Sequence, residues 1–194
     1  MNRCNQNGRS MIEMLGVLAI VGVLSVGGFS LVSKMQDNHR VNEVIDNVTS
    51  LAYKVRPIAR DYREGDSTCT SSKCLTKWAY QGKAYPEGLE YSNYYFTDRN
   101  NVKYRIHYNT VGGARSIESG KALFVIAVTG FTKKMCLQLA TTNFGSRSSN
   151  GYMGMQISTG TSASILDQFT GQRTLAQAIA ECTDENTTMH FGFR

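Results

Sequence analysis

Three histidines, five cysteines and one carboxylate beside an apolar run are the groups in this chain whose chemistry extends beyond folding. His39, His107 and His190 stand apart, the first on a polar helix face and the others on strand-like runs. No Ser-His-Asp order or nucleophile elbow accompanies them. Cys69, Cys74, Cys136 and Cys182 form an even set, as in proteins of oxidising compartments. Four cysteines allow three pairings, and once paired they offer no thiolate nucleophile. No His or acidic residue lies at zinc-ligand spacing around them, so no metal is expected. "TVGGARSIESGK", Thr110 to Lys121, holds a Gly pair and a Lys but lacks the G-x-x-x-x-G-K-[ST] spacing of a phosphate loop, and reads as a connection. These residues predict neither an enzyme nor a cofactor.

Glu13 poses a different question. It directly precedes Met14 to Ser33, a run without a charged residue. As a helix of about 20 residues this run spans roughly 30 Å, enough to cross a bilayer once. It is longer than most signal-peptide cores, and Lys34-Met35-Gln36 is a poor cleavage site, so a retained helix is expected. Arg3 and Arg9 precede it and keep the N-terminus cytoplasmic, which places everything after Lys34 outside, the four later cysteines included. Cys4 stays on the other side. A carboxylate at the edge of lipid costs a few kcal/mol and implies a partner or a function; a place at the solvated headgroup level is the plainer alternative.

The elements that position these groups follow from periodicity. Val41, Val44, Ile45, Val48, Leu51, Ala52, Val55, Ile58, Ala59 and Tyr62 recur at helical spacing and form one apolar face. Asn42, Glu43, Asp46, Asn47, Lys54, Arg60 and Asp61 form the other. Pro57 should bend this helix without ending it, and Gly65 with "GDSTC" should end it. One helix of roughly 50 residues, half in lipid and half docked on a head, is therefore the organising element. Gly22, Gly27 and Gly28 are its weak points or sites of close helix packing.

The remainder reads as α+β, a mostly antiparallel sheet of about five strands with two short helices. "NYYFTDRNNVKYRIHYN" is a hairpin around Asp98 to Asn101, with Val102, Tyr104, Ile106 and Tyr108 on its buried face and Lys103, Arg105 and His107 opposite. "ALFVIAVTG" suits a central strand covered on both sides. Thr132 caps a helix through about Thr142, and Thr174 caps a second that ends at Cys182. "GYMGMQIS" and "TMHFGFR" complete the sheet, and "GSRSSNG" and "STGTSAS" are loops. With 41% apolar residues the chain can bury a core, and its net charge of +6 is dispersed, so nucleic acid is not expected as a primary partner.

Gly8 followed by "RSMIE", an apolar run and an amphipathic helix resembles the class III signal of type IV prepilins. In that family a prepilin peptidase cuts after the Gly, and an acidic residue stands fifth in the mature chain; counting from Arg9, Glu13 is fifth. "FVIAVTGFTKKMC" and "AECTDENTTMHFGF" resemble the two cysteine-bearing stretches of type IVb pilins such as the toxin-coregulated pilus subunit. Two departures stand out. Arg9 occupies a position usually apolar, and the eight-residue leader is of the type IVa kind.

The resemblance implies a type IV pilin fold with a leader at 1–8, a transmembrane and polymerisation helix at 9–33, its amphipathic half at 34–63 and a globular head at 64–194. It implies a structural pilus subunit, held in the bacterial inner membrane with its N-terminus cytoplasmic, cleaved at Gly8–Arg9 and assembled into an extracellular filament. N-methylation of Arg9, and adhesion or secretion as the filament's task, are associated expectations. Other pilin subunits, the peptidase, the inner-membrane assembly machinery and, before assembly, the lipid bilayer are the implied partners. Assembly would run through Glu13, Gly22, Gly27 and Gly28. The expected disulfides are Cys136 with Cys182, the two matched to the family, and Cys69 with Cys74. A minor pilin, a type II secretion pseudopilin or a non-polymerising single-pass envelope binding protein are the alternatives.

Overall fold

The computed structural model describes residues 11–61, 74–108, 110–111, 114–115, 123–144, 151–159, 171–183 and 187–194; within them, side chains at 11–13, 23–34, 61, 74, 110–111, 114–115 and 159 are not described. The chain divides into two units, Met1–His39 and Arg40–Arg194. Helix α1, Met11–Asp61, supplies the regular structure of the first unit and continues in the second, unbroken through Gly22, Gly27, Gly28 and Pro57. The expected end at "GDSTC" and the residue Tyr62 lie outside the described residues.

In the second unit the helical periodicity becomes burial. Val41, Val44, Val48, Leu51, Ala52, Val55 and Ala59 are buried, with Ile45 and Ile58 packed against them. The i, i+3, i+4 spacing puts these side chains on one stripe, and burying it gives a helix more stability than its propensities do. The stripe joins one core with alternate residues of a six-stranded sheet, among them Phe96, Tyr104, Ile106, Phe124, Ile126, Val128, Met189 and Phe191.

The strands are β1 (Glu90–Ser92), β2 (Tyr95–Thr97), β3 (Lys103–Tyr108), β6 (Phe124–Thr129), β7 (Tyr152–Thr159) and β8 (Thr187–Phe193). Their order is β1-β2-β3-β6-β8-β7, and every pair is antiparallel. β4 (Thr110–Val111) and β5 (Ala114–Arg115) form a separate two-stranded ribbon. As its apolar run predicts, β6 is an inner strand, buried from Phe124 to Val128. β8, the last in sequence, inserts between β6 and β7. This order puts every residue of β8 in the buried class.

Three features depart from expectation. The sheet has six strands instead of about five, because "EYSNYYF" folds into a tight hairpin whose turn residues Asn93 and Tyr94 both have positive φ, near 51° and 64°. Such a turn matches the twist of the strands it joins and ordinarily takes Asn or Gly. A third short helix, α2 (Cys74–Gln81), precedes the sheet. His107, expected on the open face of its hairpin, is buried.

Helix α2 completes the edge of β3. β2 pairs with β3 only at Phe96–Tyr104 and Thr97–Lys103. Further along, the Thr76 hydroxyl donates to the Ile106 carbonyl and accepts from the Ile106 amide, each at 2.8 Å. Thr76 is fully buried, so one hydroxyl does the work of a missing strand residue. Thr76→Val keeps the volume and leaves both Ile106 groups unmet. A loss of about 2–3 kcal/mol is expected, read by urea unfolding of the full chain in detergent. A loss under about 0.5 kcal/mol, the scatter of surface changes, would contradict this.

Helices α3 (Lys133–Thr141) and α4 (Leu175–Glu181) are capped as their sequences predict. The Thr132 hydroxyl accepts from the Met135 amide at 3.3 Å. Thr174 and Gln177 form a reciprocal capping box. Cys136 in α3 and Cys182 at the end of α4 are joined by a disulfide. Arg173 adds a backbone bond to the Ala140 carbonyl at 2.9 Å and an ion pair with Glu181 at 2.9 Å.

Candidate assembly helix and a buried polar cluster

Glu13, Gly22, Gly27 and Gly28 lie on helix α1 in the first unit, while Gly8 and Arg9 fall outside the described residues. Around Gly22 there is open space: a methyl group there would meet nothing within 4 Å. Met14, Leu15, Val17, Leu18, Ile20 and Val21 are each more than half exposed. With Gly16 and Ala19 filling the remaining side, no polar side chain interrupts this part of the helix, and a helix apolar all round is one that becomes buried in lipid or protein. Among the described residues no helix is long and apolar enough to cross a membrane. Residues 23–33, the second part of the uncharged run, have no described side chains, so a membrane anchor rests on the sequence.

In the second unit helix α1 is tied to the β2–β3 turn by polar contacts that the periodicity did not reveal. Arg99 pairs with Glu43 at 3.0 Å, and the Asn100 amide donates to the same carboxylate at 2.8 Å. The buried Asp98 accepts from the Asn100 and Val102 amides, each at 2.9 Å, and from the Tyr104 hydroxyl at 2.8 Å. Asn47 donates to that hydroxyl at 3.3 Å. Burial, with Asp98 adjacent, pushes the Tyr104 phenol far above its ordinary value, so it remains a neutral donor. Gly130 closes this corner: with φ near 87°, it lies where a Cβ would stand 2.8 Å from the Asn101 carbonyl oxygen. Only glycine combines that φ with that approach.

Of the cysteines, Cys136 and Cys182 are bonded as expected; Cys69 lies outside the described residues, as does any bond from Cys74, the first residue of α2. The histidines require a correction. His107 and His190 are far apart in sequence, yet the strand order brings their rings to 6.1 Å, edge to face. Both are buried on the sheet face opposite the core. The His107 Nδ1–H donates to the Tyr108 carbonyl at 3.1 Å, which leaves Nε2 as an acceptor. His190 Nε2 and the Ser158 hydroxyl are hydrogen-bonded at 3.0 Å. Burial lowers the His107 pKa to about 4 and, with His107 and Arg105 alongside, that of His190 to about 3. Both rings are therefore neutral at pH 7. Nothing in the local sequence signals this cluster, because it depends on β8 lying next to β6. Among the described residues no three His, Cys, Asp or Glu side chains gather as metal ligands.

No protein-family model matches this chain, and no curated protein matches it. A solved structure does: the type IVb pilin from Salmonella typhi, known from its crystal structure, matches at a TM-score of 0.53 and 17% identity, over 77% of this chain and 97% of that one. The chain has the type IVb pilin fold. Within this fold α1 is the long N-terminal helix, the six-stranded sheet and α2, α3 and α4 lie in the second unit, and the Cys136–Cys182 bridge fastens α4 to the helix that follows the inner strand.

Proposed function

We propose that this chain is a structural subunit of a type IVb-like pilus. It is inserted in the inner membrane as a precursor, cleaved after Gly8 and polymerised through the N-terminal half of α1. The observation that carries the reading is the exposed apolar stretch Met14–Val21 on a chain with the pilin fold. Met14, Leu15, Val17, Leu18 and Ile20 all stay more than half exposed, and the stretch runs directly into further uncharged sequence. Lipid before assembly and neighbouring α1 helices afterwards would each bury these exposed side chains. Glu13 at its edge would then pair with the new α-amino group of Arg9 on a neighbouring subunit, and the prepilin peptidase and inner-membrane assembly machinery are the partners this route needs.

Cleavage has a direct test. The intact mass of protein from sheared surface filaments should correspond to a chain that begins at Arg9 and lacks Cys4. Assembled material that retains Met1 to Gly8 would overturn the proposed processing. Abundance separates the readings further: a major subunit dominates the sheared fraction, a minor pilin or pseudopilin is a trace component, and an envelope protein that never polymerises is absent.

A further inference from the structure

The histidine cluster lies on the sheet face away from α1 and takes no part in the proposed assembly. Strand register defines its layout. Gln156 of β7 stands opposite His190 of β8, His190 opposite Ala127 of β6, and Ala127 opposite Arg105 of β3. His107 is two residues further along β3, opposite Val125. Four polar atoms in this patch are buried with no hydrogen-bond partner among the described residues: Arg105 Nε, His107 Nε2, Gln156 Oε1 and His190 Nδ1. Such groups are rare in folded proteins, and four on one face call for a physical account.

Among the described residues, the charges around the two rings are of one sign. On this face the strand positions around them are Lys103 and Arg105 of β3, Val125, Ala127 and Thr129 of β6, Gln156 and Ser158 of β7 and Thr188 beside His190 of β8; none is a carboxylate. The Arg105 guanidinium is partly engaged elsewhere, 5.6 Å over the Tyr95 ring and 3.4 Å from its hydroxyl. A proton on either ring would place an imidazolium beside another ring and a guanidinium, buried and with no carboxylate among the described residues of these four strands, an arrangement that stays in place only when paired.

We propose that His107 and His190 form an acid-sensitive latch: neutral, the two rings close the outer face of the sheet, and on taking up a proton from solvent they turn out into water while the core against α1 stays packed. Burial holds both rings below the ordinary histidine value near 6.5. Because the unfolded or opened chain binds these protons more readily, the closed state is fully favoured above about pH 6.5. It loses that advantage progressively as the pH falls toward about 4 and then about 3.

The test is hydrogen exchange with mass readout on the full chain in detergent, at pH 7 and pH 3.5, after correction for the intrinsic rate. Peptides over 103–108 and 187–193 should lose at least about tenfold protection in acid, while those over 44–59 keep theirs. His107→Gln/His190→Gln, which keeps polar groups but takes up no proton, should abolish the acid-dependent loss. Equal loss over both sets of peptides in the wild type would show global acid unfolding and overturn the latch. So would an undiminished loss in the double variant, or no loss at pH 3.5. Should the variant fail to fold, ring NMR titration of the wild type decides. Two ring transitions below pH 5 that coincide with the exchange change support the latch, and ring titration near pH 6.5 with no such change refutes it.

Discussion

Removing the Cys136–Cys182 bridge should destabilise the head by about 4 kcal/mol, the chain-entropy value for a loop of this length; the two cysteines are 46 residues apart in sequence. That is a large part of the 5–15 kcal/mol that holds a typical domain. The location adds to the effect. Helix α4 buries only Ala178 and the cysteine at its end, with Leu175 and Ile179 more than half exposed. Its seven residues are too few for a stable isolated helix, so the bridge and Arg173 hold it against α3. The double variant Cys136→Ser/Cys182→Ser, which avoids an unpaired thiol, should therefore unfold at markedly lower urea concentration. It should also exchange the amides of α4 before those of β6. A change below about 1 kcal/mol would mean that packing, not the bridge, secures this part of the head.

Glu13→Ala should leave the precursor inserted, folded and cleaved but nearly abolish filaments. Insertion should even improve, since removing a charge from an apolar helix favours the bilayer by a few kcal/mol. In the proposed route cleavage would depend on Gly8, and the sheet and short helices lie in the second unit, 40–194. The defect would appear only when a subunit docks and the α-amino group of Arg9 must be buried without its carboxylate. Breaking a buried pair from one side costs on the order of 3–5 kcal/mol, more than a hundredfold in an assembly equilibrium. In cells carrying only this variant, membrane levels are compared with sheared filament yield. A normal yield would show that Glu13 is a solvated flank of the apolar run, and the pairing would be wrong.

Much of the head was legible because several of its elements carry local signals. Thr132 and Thr174 are hydroxyl caps ahead of helical runs, and both cap as expected. "FVIAV" is apolar on both faces and became an inner strand. The alternation of Tyr104 and Ile106 matches their burial toward the core. The failures share a cause as well. Thr76 looks like any helical threonine until Ile106 is seen to lack a strand partner. "EYSNYYF" contains no Gly at its turn, so Asn93 and Tyr94 gave no strong hairpin signal. His107 alternates like an exposed residue, yet it is covered.

By itself, the sequence determined the helical stripe from Val41 to Ala59, the uncharged run from Met14 to Ser33, the caps and the inner strand, because each depends on residues within a few positions of one another. Only the tertiary structure decided that β8 inserts between β6 and β7, that Thr76 substitutes for a strand, and that His107 meets His190. Antiparallel pairing can join any two strands of matching pattern. Which ones pair is set by how the whole sheet buries its faces, and no short window of sequence contains that information.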